Sequence, residues 1–298
     1  MDSRQRSNLD SFGIIALVGV QLLLGINHVV IKVVNSGIQP IFFCGLRSII
    51  AVFFIVLWMV YRKIPISFTL ESARLGILAG LIFAAEFLCL FLALDYTTVV
   101  RNSIIYYSMP VWLTIMAHFF LPNEYITKVK IMGLTLAFLG VIWALLSRDE
   151  VNGDASLLGD FFALAGAIGW AGIIIMARGT KFSEISPEMQ LLWMVLISGP
   201  VLIIISPFFG DLVRDFKYIH LVGLGFQAAV VVTGGFIFWL WLLSIYPASA
   251  VASFAFLTPI FGIAGGWFLL GEEVKVSVLG AASLVVLGIY LINRPTKI

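Results

Sequence analysis

Ten runs of mostly apolar residues, each about twenty long and separated by short polar connections, leave this chain very few ways to fold. They cover roughly residues 12–33, 40–60, 74–94, 98–120, 129–147, 157–177, 189–209, 219–245, 247–270 and 275–292. A helix of that length crosses the hydrocarbon of a bilayer and satisfies every backbone group that hydrocarbon would leave unpaired. The expected fold is therefore all-α and integral to the membrane, with ten transmembrane helices. Charged residues make up only 11% of the 298 positions and apolar ones 61%, against about 25% charged in an average soluble domain. With a mean hydropathy of +1.08, no soluble domain is left over, which argues against a receptor, a membrane-tethered enzyme or an ATP-driven pump. The two cysteines, Cys44 and Cys89, sit in apolar runs without metal spacing, and no glycine-rich phosphate loop occurs. Neither a cofactor, a metal nor a nucleic-acid partner is expected.

The chain also repeats itself. The stretch from Leu94 to Glu124 recurs from Ser244 to Glu273: aligning Pro110 with Pro259 sets Leu121 on Leu270 and Glu124 on Glu273. Tyr96 meets Tyr246 when one residue is skipped. Two half-molecules follow, 1–148 and 149–298, with five spans each. Five is odd, so the second half enters the membrane the opposite way up, as in secondary transporters that expose a central site to each side in turn.

Orientation is read from the cations. Arg4, Arg6, Arg62, Lys63, Arg74, Lys128, Lys130, Arg178, Lys181, Arg294 and Lys297 fall on one side. Arg101, Arg148, Arg214, Lys217 and Lys275 fall on the other, with Lys32 and Arg47 inside spans. The richer side is cytoplasmic and holds both termini; the polar N-terminus is read as uncleaved. Short loops and a basic interior suit a multi-pass protein of a plasma membrane, specifically a bacterial inner membrane.

Three groups of residues resemble the EamA family of ten-helix carriers in the drug/metabolite transporter superfamily. Gly25-Ile26-Asn27-His28 followed by Lys32 resembles the family's WG(S/x)N…K opening, although Ile26 and the absence of a Trp before Gly25 depart from it. Pro40, Arg47 and Ala51 resemble its P…(L)R…A pattern. The duplicated stretch resembles its paired signature, with Pro122-Asn123-Glu124 a degenerate first copy and Leu270-Gly271-Glu272-Glu273 a good second one. The resemblance implies a central cavity lined by spans three, four, eight and nine, with spans one and six contributing. It also implies transport without ATP, in a family whose members carry amino acids, nucleotide sugars, triose phosphates, quaternary amines or S-adenosylmethionine.

Glu86 is the sharpest individual residue. It lies about twelve residues into the third run, near the bilayer midplane at about 1.5 Å per residue. A charge there costs about 2.5–3.5 kcal/mol or more, so it faces a cavity or a partner. It reads either as a proton-coupling and substrate-binding group or as a structural partner of Arg101, His28 or Lys32. Asn27 and His28 in the first span and Asn102 and Tyr106 in the fourth, the latter pair sharing a face at i, i+4, are further candidates for substrate contact. Tyr107 adds a second phenol. Trp170, Gln227, Trp239, Phe254 and Thr258 offer comparable groups from the second half. Lys32 and Arg47 are assigned gating or structural roles. Pro110 and Pro259 are expected to kink their helices in mid-membrane and so permit gating. Gly76/Gly80 and Gly262/Gly266 read as close helix packing.

The resemblance to the family, not any residue, puts an amino acid or related compound first among small organic metabolites, exported or exchanged by alternating access, with Glu86 as the candidate for proton coupling. Amines or quaternary cations are the main alternative. Phosphorylated metabolites would require Lys32, Arg47 and Arg101 to face the cavity together. A passive facilitator would conduct without saturation and without dependence on Glu86. A lipid flippase or a membrane enzyme completes the alternatives. The partners expected are the substrate and the lipid bilayer, in a monomer or homodimer.

Overall fold

The computed structural model describes residues 10–122, 124–147, 156–246, 251 and 254–293. It is all-helical. In the first half run α1 (Ser11–Asn35), α2 (Pro40–Tyr61), α3 (Leu70–Tyr96), α4 (Val99–Tyr106), α5 (Met109–Phe120) and α6 (Lys128–Leu146). In the second run α7 (Leu157–Gly179), α8 (Pro187–Ile205), α9 (Tyr218–Phe226), a π-helical segment (Gln227–Gly235), α10 (Phe236–Ile245), α11 (Leu257–Leu270) and α12 (Val276–Asn293). Among the described residues nine spans are long and apolar enough to cross a membrane; α4–α5 and α9–π–α10 each form one of them, and α11 is a shorter apolar helix. The start of the expected ninth span, at 247–250 and 252–253, lies outside the described residues.

The helices start where side-chain oxygens can take their first free N–H groups. Asp10, Thr69, Thr98, Thr127, Ser156 and Ser186 accept from Gly13, Ser72, Arg101, Lys130, Gly159 and Met189 respectively. The fourth span corrects the expectation drawn from its proline. Instead of kinking a continuous helix, the chain leaves helix at Tyr107 and restarts at Met109, which puts Pro110 in the first turn of α5. Its missing N–H falls where no partner is needed. Pro259 likewise lies in the first turn of α11.

The two halves repeat each other's packing. Pairing α1 with α7, α2 with α8, α3 with α9–π–α10, α4–α5 with α11 and α6 with α12 sends the most extensive helix contacts onto one another. The packing of α3 on α7 and α8 returns as that of α9–π–α10 on α1 and α2. Likewise α4–α5 on α7 returns as α11 on α1, while α2–α8, α4–α11 and α6–α12 map onto themselves. Small residues allow the closest approaches. A Cβ on Gly25 would lie 2.7 Å from Phe261 Cβ, and one on Gly262 2.1 Å from Ser103 Oγ. Gly76 and Gly80 meet Trp193 and Ile197 of α8, so these spacings serve packing within the molecule.

At one end, hydrogen bonds tie both halves into a polar belt. Arg101 lies on α4 rather than in a loop; its Nε and Nη2 reach Asp160 of α7 at 3.2 and 2.5 Å, both groups fully buried. Thr97 also donates to Asp160, and Lys32 donates to the Thr97 carbonyl at 2.8 Å. Glu272 accepts from the Val99 and Val100 amides, at the positive end of α4. The α8–α9 connection crosses over α1–α3: Arg214 grips Asp95 at 2.7 and 3.0 Å and the Asn35 carbonyl at 2.9 Å.

Candidate functional site

The polar residues of α1, α3 and α4 converge with Trp170 of α7 in the middle of this packing. Glu86, only 2% exposed, accepts a hydrogen bond from the Tyr106 hydroxyl. That replaces the expected structural partners, because Arg101 is taken by Asp160 and Lys32 by the Thr97 carbonyl. Trp170 stacks on Tyr106 with centroids 5.4 Å apart. His28 stacks face to face on Tyr107 at 4.7 Å and meets the Tyr106 ring edge-on at 5.4 Å. Its Nδ1 lies 3.1 Å from Asn102 Nδ2, while Tyr107 donates to the Leu24 carbonyl at 2.7 Å. Asn102 and Tyr106 thus share a face as expected, but each is engaged by a different side chain. The Asn102 carbonyl oxygen is buried without a partner. A buried unsatisfied acceptor costs about 1–3 kcal/mol, and a solute donor could relieve it.

Two further amide contacts join α1 to the second half. Gln227, the first residue of the π segment, donates to Asn27, and its own carbonyl oxygen is buried without a partner. Thr258 at the start of α11 donates to Gln21. Trp239 and Phe254 stand apart from these polar groups. They pack against Leu17, Val20, Leu242, Tyr246 and Val251, in an apolar cluster on the first half of α1.

Arg47, on α2, is 1% exposed and lies over the rings of Phe87 and Phe91, at 4.1 and 5.0 Å. Of the two cysteines, Cys44 is buried and Cys89 half-buried, and both are free. Among the described residues, no group of three His, Cys, Asp or Glu side chains could hold a metal.

The sequence reading passed over Gln21, Asp160 and Glu272. Gln21 had a visible signal, since it sits seven residues before His28 and so shares its helix face. Asp160 had one as well, as a carboxylate in the first turn of an apolar run. The choice of Glu272 over Glu273 had none, because both follow the same turn at Gly271, whose φ of 68° suits glycine.

An open groove lies elsewhere. A groove of about 800 Å³ runs between α2, from Phe54 to Arg62, and the π segment with α10, from Ala229 to Trp241. Its lining is apolar except for Trp58, Tyr61, Arg62, Thr233 and Trp241, and it includes none of the Glu86 cluster.

Comparison with known proteins matches this architecture. The EamA-like transporter family describes residues 11–146 and again 157–294, once for each half. An uncharacterized transporter of Bacillus subtilis, YoaV, is 25% identical over 93% of this chain and 95% of its own. A probable amino-acid metabolite efflux pump of Escherichia coli is 28% identical over 94% of this chain and 93% of its own. A crystal structure only 15% identical in sequence superposes with a TM-score of 0.67, over 95% of this chain and 96% of the other, which speaks to the fold alone. The protein is a multi-pass membrane transporter, not an enzyme, and it belongs to the EamA-like transporter family.

Proposed function

We propose that this transporter exports or exchanges an amino acid or related small metabolite by alternating access, with Glu86 as its proton-coupling group. The observation that carries the reading is the buried Glu86–Tyr106 contact, set among His28, Asn102 and Trp170 at a junction of the two halves. A carboxyl there can exchange a proton for a cationic solute when the halves rock. The exchanged packing of 1–148 and 149–298 supports an inverted pair, and the charge asymmetry supports cytoplasmic termini in a bacterial inner membrane. In that orientation the polar belt closes the outer side. The names of the enterobacterial relatives, probable amino-acid metabolite efflux pumps, support the cargo class.

The test is exchange of radiolabelled amino acids in proteoliposomes across a range of pH. Saturable, pH-dependent exchange by the native protein is expected, and Glu86→Gln is expected to abolish the pH dependence while the protein stays folded. Flux that neither saturates nor depends on Glu86 would establish the passive facilitator instead.

A further inference from the structure

The buried arginines among the described residues, Arg47 and Arg101, and the more exposed Arg214 differ in one respect. Arg101 and Arg214 each hold a carboxylate through two nitrogens. Arg47 holds none. Its Nη2 donates to Cys44 Sγ at 3.6 Å, and its Nε is buried without a partner. The rings of Phe87 and Phe91 lie beneath it, yet a desolvated cation–π contact recovers only about 2 kcal/mol. A buried, unpaired guanidinium forfeits several kcal/mol of hydration. A fold that keeps one has left open a planar fork of N–H donors whose geometry matches a carboxylate.

The surroundings narrow what that carboxylate belongs to. Arg47 lies over the ring of Phe87, the residue next to Glu86 on α3, and makes no ion pair with Glu86. An acid and an unpaired guanidinium therefore meet α3 at neighbouring positions, among aromatic rings of α3, α4 and α7. An amine or quaternary cation would use the acid and leave the guanidinium unpaired. A sugar phosphate would be drawn to the guanidinium but repelled by the acid.

We propose that Arg47 is the carboxylate-binding residue of the transport site. The substrate class is then a zwitterion, an α-amino acid whose carboxylate pairs with Arg47 and whose ammonium group is received by Glu86 and Tyr106. This rests on the transporter reading above and turns Arg47 from a gating residue into a specificity-determining one.

The experiment is thermal stabilisation of the purified, full-length protein by the twenty proteinogenic amino acids. Each is compared with its carboxamide and its decarboxylated amine. Because the ligand is altered rather than the protein, the first result does not depend on a variant folding. At least one amino acid is expected to stabilise the native protein, with its amide and amine binding about 100-fold more weakly. Arg47→Met is expected to weaken binding of that amino acid by a similar factor and to leave the amide unchanged, with Arg47→Lys recovering part of the loss. Amide and acid binding alike, or Arg47→Met binding the acid as the native protein does, overturns the carboxylate role and leaves amino-acid transport standing. Stabilisation by amines alone, or by nothing in the panel, overturns both.

Discussion

The third span and its counterpart in the second half follow the same path with different materials. α3 is a regular helix of 27 residues with a carboxylate, Glu86, well inside it. Aligning Tyr96 with Tyr246 sets Glu86 opposite Phe236, and the span that holds Phe236 carries no Asp, Glu, Lys or Arg between Tyr218 and Ile245. That span instead gives up α-helical geometry over nine residues, Gln227–Gly235. The contrast extends to the whole halves. Arg47 and Glu86 lie deep in first-half helices, whereas the charged residues on described second-half helices stay near helix ends. The mid-span charges belong to the first half and the π-helical segment to the second. Duplication fixed the packing, and the two copies were then free to specialise.

Asp160 gives the strongest test of this division, because among the described residues it is the second half's buried carboxylate and binds a first-half arginine. If the second half contributes architecture rather than chemistry, Asp160 is structural. Asp160→Asn is expected to destabilise the protein by about 3–5 kcal/mol by leaving Arg101 buried and unpaired. The apolar double replacement Arg101→Met, Asp160→Leu is expected to recover most of that loss and to keep transport. Melting in detergent together with exchange in liposomes measures both. A stable double variant with no exchange would give the second half a share in the chemistry.

Next in size is the π segment. Thr233 donates to the Ala228 carbonyl five residues back, at 2.9 Å. A Cβ on Gly234 or Gly235 would lie 3.3 Å from the carbonyls of Ala229 or Val230, also five residues back. Glycine is therefore what lets this turn widen. Deleting Gly234 removes the extra residue and is expected to restore α-helix. If this span is the compliant partner of α3, turnover drops about tenfold while substrate affinity stays within about twofold, since the Glu86 cluster is untouched. Single-turnover exchange and equilibrium binding separate the two. Equal losses in both would mean that the segment shapes the site rather than its motion.

The same contrast explains what could be read from the sequence. Apolar runs and the duplicated stretch carry ten spans and two halves because hydrocarbon forces both onto composition. Glu86 stood out for the same reason. Its partner did not, since Tyr106 lies twenty residues away across a turn and any of several polar residues fitted equally well. Arg101 looked like a loop cation because the fourth span begins only at Val99, and burial of its first turn depends on α7. The π segment left no periodic trace. Its Thr-Gly-Gly sequence reads as weak helix, and nothing in the apolar pattern distinguishes a π turn from an α turn there.

The smallest expected effects separate contacts between halves from contacts within one. The α8–α9 connection holds two ion pairs: Arg214 with Asp95 of α3, and Lys217 with its own neighbour Asp215 at 2.6 Å. The hydrogen bond from Lys217 holds the Asp215 carboxyl below its usual range. Its contribution is therefore present at neutral pH and is lost as pH falls through that lowered value. Asp215 is exposed, so that contribution is screened to near zero, and Asp215→Asn is expected to shift melting by less than its experimental error and to leave exchange unchanged. Arg214 lies in firmer surroundings: the hydrogen bonds it donates to Asp95 raise its pKa, and it also donates to the Asn35 carbonyl at the end of α1. Asp95→Asn is expected to cost about 1 kcal/mol and to speed labelling of a cysteine placed at Val213, which pairs with Ile38 across the belt. Faster labelling shows that the connection latches the first half from outside. Equal labelling in Asp95→Asn and Asp215→Asn would make both pairs surface decoration and leave closure of this end to the buried contacts of Asp160 and Glu272.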